Sequence, residues 1–182
     1  MKLISWNVNG IRAVDRKKQF DWWIKEQPDF MCLQEIKATA DQIPSHVKDI
    51  PGYFAYFNSP KEKKGYSGVA IYTKHKPLAV SYEMDSVEHE SEGRMITLIF
   101  KDYCIINIYF PNGGGGPERL AYKLAFYDAF LAYIEKLRAS GKKIIFCGDI
   151  NTAHEEIDLA ALSRTRKIRA FYLKSAPGSM RW

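Results

Sequence analysis

The sequence is short of the features that mark exported or membrane-bound chains. It has only three cysteines, Cys32, Cys104 and Cys147, too few for the disulfide framework of a small secreted domain. Each sits in an apolar run, where a buried free thiol in a reducing, cytoplasmic compartment is expected. No apolar stretch approaches the roughly 20 residues needed to span a bilayer. The opening Met1-Lys2-Leu3-Ile4-Ser5 turns polar too early for a secretory signal. There is no internal repeat and no low-complexity linker. Residues 161–182 contain no acidic residue at all.

That last absence locates the charge. The chain of 182 residues carries 27 Lys and Arg against 21 Asp and Glu, a net +6. Arg164, Arg166, Lys167, Arg169, Lys174 and Arg181 supply the whole excess. Residues 1–160 are neutral, so the basic balance is weak support for a nucleic-acid partner. With 46% hydrophobic and 26% charged residues, the composition fits one globular domain and excludes a wholly disordered chain.

Short apolar runs alternate with turn signals. Strands are expected at residues 2–8, 29–34, 68–73, 95–100, 103–110 and 143–149. The fourth and fifth form a hairpin over Lys101-Asp102, and the second and last have few polar residues, as buried strands do. A short helix is expected near residues 20–26, and an amphipathic one at 122–137, with Leu124, Tyr127, Phe130, Leu131, Ile134 and Leu137 on its apolar side. Strands mixed with helices predict an α/β layered sandwich.

Four of these strands end in polar groups. Asn7 and Asn9 close the first, Gln34-Glu35 the second, Tyr109 and Asn112 the hairpin, Asp149 and Asn151 the last. Strand ends of α/β sheets are where sites gather, because the scaffold holds them rigid. The set suits hydrolysis of a phosphate ester. A hard cation such as Mg²⁺ needs only one or two carboxylates, and Glu35 offers one. Asn7, Asn112 and Asn151 can hold phosphoryl oxygens without adding negative charge. Asp149 can orient or deprotonate water, and Tyr109 can donate to a developing oxyanion. Singly, each residue also has a bland role, as a strand end, cap, turn or core aromatic; their combination is what departs from chance. Gly113–Gly116 lacks the Lys-Ser/Thr of a phosphate loop and reads as a flexible connection. His46, His75 and His89 read as surface residues, and Phe20, Trp22 and Trp23 as core.

These motifs resemble the N-terminal part of the exonuclease III/apurinic-apyrimidinic endonuclease family, a branch of the endonuclease–exonuclease–phosphatase superfamily. The resemblance rests on Ser5-Trp6-Asn7-Val8-Asn9-Gly10-Ile11-Arg12-Ala13, on Leu33-Gln34-Glu35-Ile36-Lys37, on Gly65-Tyr66-Ser67-Gly68-Val69-Ala70 and on Glu92-Gly93-Arg94. It continues through Ile108-Tyr109-Phe110-Pro111-Asn112-Gly113 and Cys147-Gly148-Asp149-Ile150-Asn151-Thr152-Ala153-His154 to Glu156-Ile157-Asp158-Leu159. It implies a four-layer α/β sandwich and a monomeric DNA repair nuclease using Mg²⁺, or Mn²⁺ in its place. Such an enzyme cuts 5′ of abasic sites and trims 3′ ends of duplex DNA. Residue by residue, the resemblance gives Glu35 and Asn7 to the metal, and Tyr109 and Asn112 to the scissile phosphate. Asp149 serves the nucleophilic water, Asn151 holds phosphate, and Arg94, Arg12 and Lys37 contact DNA.

The pattern breaks near Leu159. Family members are longer and end in a Ser-Asp-His motif, which this sequence lacks. The expected organisation is therefore the N-terminal part of a nuclease domain over residues 1–160, with its C-terminal half missing, and a basic tail over 161–182. A one-base slip after Leu159 accounts for the tail, because the shifted frame can encode RPKQNEKNTGFLPEERAWIDAM, a stretch similar to what the family carries there. The alternative is a natural basic arm. On the expectation that the missing half supplies the second sheet, the first sheet would present a bare apolar face. The chain would then be marginal or aggregation-prone, and catalysis weakened by at least about 10²–10³.

Overall fold

Alternation along single strands builds two sheets here. The computed structural model describes residues 1–61, 63–84 and 92–152. The first sheet contains β1 (Leu3–Asn7), β2 (Phe30–Gln34), β3 (Phe54–Asn58) and β4 (Val69–Thr73), in the order β1-β2-β4-β3. The second contains β5 (Ala79–Ser81), β6 (Met95–Ile99), β7 (Tyr103–Tyr109) and β8 (Lys143–Asp149), in chain order. Strands β1 and β2 run parallel, as do β7 and β8; β2–β4, β3–β4, β5–β6 and β6–β7 are antiparallel.

The period of two assigns each strand's faces. In β2, Met31 and Leu33 pack outward with Ile11, Val14, Trp23, Val47 and Tyr72, under helices α1 (Ile11–Arg16), α2 (Asp21–Glu26) and α3 (Ser45–Lys48). Phe30 and Cys32 face the other way, against Ile96, Leu98 and Ile105 of the second sheet. In β7, Ile106 and Ile108 meet Phe126, Phe130 and Ile134 of α4 (Pro117–Ala139). The result is four layers, helices outside and two sheets within. No helix of the described residues is long and apolar enough to cross a membrane.

The bare sheet face expected from the sequence is corrected. Residues 79–149 already supply a four-stranded second sheet, and the residues between the sheets are almost all fully buried. All five residues of β2 and of β4 are buried because both faces are covered. The hairpin and the last strand belong to the second sheet; the sequence reading had not divided the strands between sheets.

Other elements sharpen the expectations. Strand β8 has the expected bounds but is only half-buried, with Ile145 exposed; among the described residues it pairs with β7 alone. Helix α4 begins five residues early, with Pro117 in its first turn, where a missing N–H costs nothing. Its buried stripe is Leu120, Lys123, Phe126, Tyr127, Phe130, Tyr133 and Ile134, leaving Leu124 exposed. Strands β3 and β5 and helices α1 and α3 went unread. Phe20 and Trp23 are core, but Trp22 is exposed, and His46 and His75 lie at the surface. Cys32 and Cys104 are buried, Cys147 is half-buried, and all three thiols are free. Residues His89, His154 and 161–182 lie outside the described residues.

Candidate active site

Each sheet contributes the C-terminal end of a parallel pair. Asn7 lies level with Gln34 in one sheet and Tyr109 with Asp149 in the other, and β1 packs beside β8. The polar residues that follow these strands are thereby gathered at one edge of the sandwich.

Asn7 joins them. Its Nδ2 donates to Glu35 Oε1 at 2.8 Å and to Asp149 Oδ2 at 2.7 Å. Its Oδ1 accepts the Asn9 N–H at 3.0 Å. Only this amide orientation puts a donor between two carboxylates. Glu35 has a further partner, Lys37 Nζ at 2.8 Å from Oε2, and the Tyr109 phenol lies near enough to the carboxylate to help hold its charge. Lys37 also donates to Asn9 Oδ1. Asp149 Oδ1 accepts the Asn151 N–H at 2.9 Å, an Asx-type turn, and Asn151 Nδ2 donates to the Phe110 carbonyl at 2.9 Å.

The backbone is bent to make this convergence. Asn9, Glu35, Lys37 and Asn151 all have positive φ, near +50°, a conformation that costs energy for non-glycine residues and clusters at functional sites. Backbone bonds hold it: Gly10 N–H to Glu35 O at 2.7 Å, Ile36 N–H to Gly68 O at 3.0 Å, and Lys37 N–H to Ser67 O at 2.9 Å. The motif residues 65–68 thus support the Glu35 turn from below.

Electrostatics follow from these contacts. Burial alone would raise the Glu35 carboxyl, but hydrogen bonds from Lys37, Asn7 and Tyr109 and the Lys37 charge hold it below the usual carboxylate range. Burial and the adjacent Glu35 charge push the Tyr109 phenol up to about 12, so it is a proton donor at neutral pH.

The expected residues therefore divide. Asn7, Glu35, Lys37, Asp149 and Asn151 form one bonded set, with the Tyr109 phenol beside Glu35. Asn112 is exposed on the loop after β7, and Arg12 is exposed on α1, its guanidinium 3.4 Å from the Lys37 carbonyl. Arg94 is corrected: it is 3% exposed and its donors are committed to Glu92, Tyr66 and the Tyr109 carbonyl, so it does not reach out to DNA. Two residues were missed. From α4, Lys123 Nζ donates to the Asn151 carbonyl at 2.7 Å, and the Tyr127 hydroxyl to the Ile150 carbonyl at 2.7 Å. The available signal was a lysine at the i, i+3, i+4 spacing of the helix's buried stripe.

The converging oxygens are those of the Glu35 and Asp149 carboxylates, and Glu35 is ionised at neutral pH. This chemistry fits one hard cation that keeps several waters. Among the described residues no three His, Cys, Asp or Glu side chains cluster as a closed metal cage.

The Endonuclease/Exonuclease/phosphatase family matches residues 4–181. The chain is 46% identical over 160 residues to an exodeoxyribonuclease of Bacillus subtilis, covering 87% of this chain and 62% of that protein. It is 42% identical over 172 residues to the DNA repair nuclease APEX1 of Danio rerio, covering 94% of this chain and 55% of that one. The chain thus spans little more than half the length of these relatives. A solved AP endonuclease structure from Archaeoglobus fulgidus superposes with a TM-score of 0.77 at 30% identity, over 91% of this chain and 63% of the other. The longer matches run past Leu159, where the sequence motifs stop.

Proposed function

The chain belongs to the endonuclease/exonuclease/phosphatase family, in its exonuclease III/AP endonuclease branch, and on that premise we propose that it is a Mg²⁺-dependent DNA repair nuclease site hydrolysing phosphodiesters at abasic positions and 3′ ends. The observation carrying this reading is the Asn7 amide held between Glu35 and Asp149 where the two sheets meet. The relatives named as an exodeoxyribonuclease and a DNA repair nuclease support it.

In this reading Glu35, with Asn7 beside it, would hold the metal, which supplies positive charge to a phosphoryl oxygen when bound. Asn7 keeps the two carboxylates apart yet fixed. Asp149, oriented by Asn7 and by the Asn151 N–H, accepts a proton from the attacking water. The water oxygen bonds to phosphorus as the bond to the leaving sugar oxygen breaks; the neutral Tyr109 phenol donates a hydrogen bond to a phosphoryl oxygen, and solvent supplies the proton that the leaving oxygen takes up. Asn112 and Asn151 hold the remaining phosphate oxygens. Arg12 and Lys37 offer cations for the flanking backbone, and Lys37 also balances Glu35. Duplex DNA with an abasic site or a 3′ end is the substrate, and the chain acts as a monomer.

The experiment is nicking of a duplex bearing one abasic analogue, with Mg²⁺ and with EDTA. Mg²⁺-dependent cleavage 5′ of the lesion, lost in Asp149→Asn, supports the proposal. Release of phosphate from inositol phosphates with the duplex untouched overturns it in favour of a phosphatase. Salt-sensitive DNA binding without cleavage, lost on deleting residues 161–182, points to a non-catalytic basic-armed binder. For that tail we keep the reading of a one-base slip after Leu159. Sequencing the gene across codons 155–185 and beyond tests it, and an unbroken frame to a stop after Trp182 overturns it.

A further inference from the structure

Arg94 lies at the head of β6, almost sealed from solvent, and its bonds converge on one residue of the site. Its carbonyl accepts the Tyr109 N–H at 2.8 Å. Its Nη1 donates back to the Tyr109 carbonyl at 3.0 Å. Its guanidinium carbon lies 4.7 Å from the centre of the Tyr109 ring. Tyr109 is thus held at its amide, its carbonyl and its ring face by a single side chain and its own backbone.

The guanidinium is itself fixed from behind. Nε donates to Glu92 Oε2 at 2.5 Å and Nη2 to the Tyr66 hydroxyl at 2.8 Å. Arg119 of α4 donates to the same Tyr66 hydroxyl at 2.8 Å and lies 3.4 Å from Glu92 Oε1. Tyr122, also of α4, donates to Glu92 Oε2 at 3.0 Å. The loop of residues 65–68, the start of β6 and the first turns of α4 therefore meet in one network, and that network touches the site through Tyr109. A planar fork with several donors meets all these partners at once; a single ammonium does not.

We infer that Arg94 is a positioning residue that fixes Tyr109 for the reaction, with Glu92, Tyr66 and Arg119 as its support. The inference rests on the reading of Tyr109 as a phosphate contact. It replaces the direct DNA contact first expected of Arg94. A displacement of about 1 Å of a reacting group lowers rates on the order of 10²-fold, so a clamp at the end of a strand bears directly on turnover.

Arg94→Lys keeps the charge and the stem but loses the fork. On the abasic duplex its kcat falls about tenfold or more, with KM within about twofold of the parent. In a Tyr109→Phe background the same change costs less than about twofold, because the group that Arg94 positions has gone. An equal loss in both backgrounds overturns the inference in favour of a purely structural role. Amide hydrogen exchange gives a readout independent of turnover. Arg94→Lys speeds exchange at Tyr109 about tenfold while Ile106, further along β7, keeps its protection. Uniform loosening of β7, or none, overturns the inference. Should Arg94→Lys fail to fold, Tyr66→Phe removes only the shared hydroxyl and shows the same local pattern, about threefold in size. If Tyr109→Phe alone leaves kcat unchanged, the role given to Tyr109 fails, and the exchange data still decide whether Arg94 holds it.

Discussion

Asn7→Asp tests the centre of the site most sharply. In the native protein the Asn7 amide donates to Glu35 at 2.8 Å and to Asp149 at 2.7 Å. The substitution puts an acceptor where that donor stands, facing two carboxylates. Two unit charges about 4 Å apart repel by about 4 kcal/mol at an effective dielectric of about 20, and here there are two such neighbours. The protein escapes most of this by protonating the new carboxyl. The penalty is then capped at about 1.4 kcal/mol for each pH unit between the ordinary Asp value of about 3.9 and the assay pH. That makes about 4 kcal/mol at pH 7 and about 1.5 kcal/mol at pH 5. The sign is that of a group whose folded pKa is raised: the penalty is absent in acid and grows as pH rises toward the folded value. Against a total stability of about 5–15 kcal/mol, the effect is large. Urea unfolding of both proteins in EDTA at pH 5, 6 and 7 measures it, and the gap should widen by about 1.4 kcal/mol per unit. Millimolar Mg²⁺ at pH 7 should narrow the gap, since a cation among three carboxylates replaces the proton. A gap that does not vary with pH, or stays under about 1 kcal/mol at pH 7, refutes the bridging role of Asn7.

Three further predictions concern the frame that carries the site. Asn107 is fully buried between the sheets and bonds Gln34 at 2.7 Å and the Leu33 and Ala70 carbonyls at 2.8 and 2.9 Å. Asn107→Leu keeps the branched shape and the number of heavy atoms and loses all three bonds, about 3 kcal/mol at about 1 each. With a urea slope of about 2 kcal/mol/M, the midpoint falls by about 1.5 M, and an unchanged midpoint counts against the network. In Gly148→Ala, a Cβ at φ +147° would stand 1.8 Å from the Ile108 carbonyl oxygen. Strands β7 and β8 would have to part beside Asp149, so a loss above about 4 kcal/mol or no soluble protein is expected, and a parental midpoint contradicts the geometry. Burial would raise the Glu92 carboxyl, but the Arg94 charge and hydrogen bond outweigh it and hold it low. Its stabilisation is complete above the ordinary value near 4.5 and is lost as pH falls through the depressed one. Glu92→Gln should therefore cost about 3 kcal/mol at pH 7 and flatten the acid limb of a melting-temperature profile, and an unaltered limb argues against the pair.

Much of this was legible along the chain because it is local. The bounds of β8 follow from Lys143-Ile144-Ile145-Phe146-Cys147-Gly148-Asp149, an apolar run closed by a glycine turn. The hairpin of β6 and β7 follows from two β-branched runs flanking Lys101-Asp102. Strands β3 and β5 were missed because Phe54–Asn58 carries three aromatics beside an Asn, and Ala79–Ser81 is too short to show a period.

By itself, then, the sequence determined which side chains stand at strand ends, since a period of two and a turn residue act within a few positions. It thereby singled out Asn7, Glu35, Tyr109, Asp149 and Asn151. Only the tertiary structure decided that they form one site. The Asn7–Asp149 bond joins residues 142 positions apart, and that depends on two sheets packing face to face. It also decided that Arg94 turns inward. Its partners Tyr66, Glu92 and Tyr109 come from three separate segments, and whether an arginine is solvated or clamped depends on the walls that folding places around it.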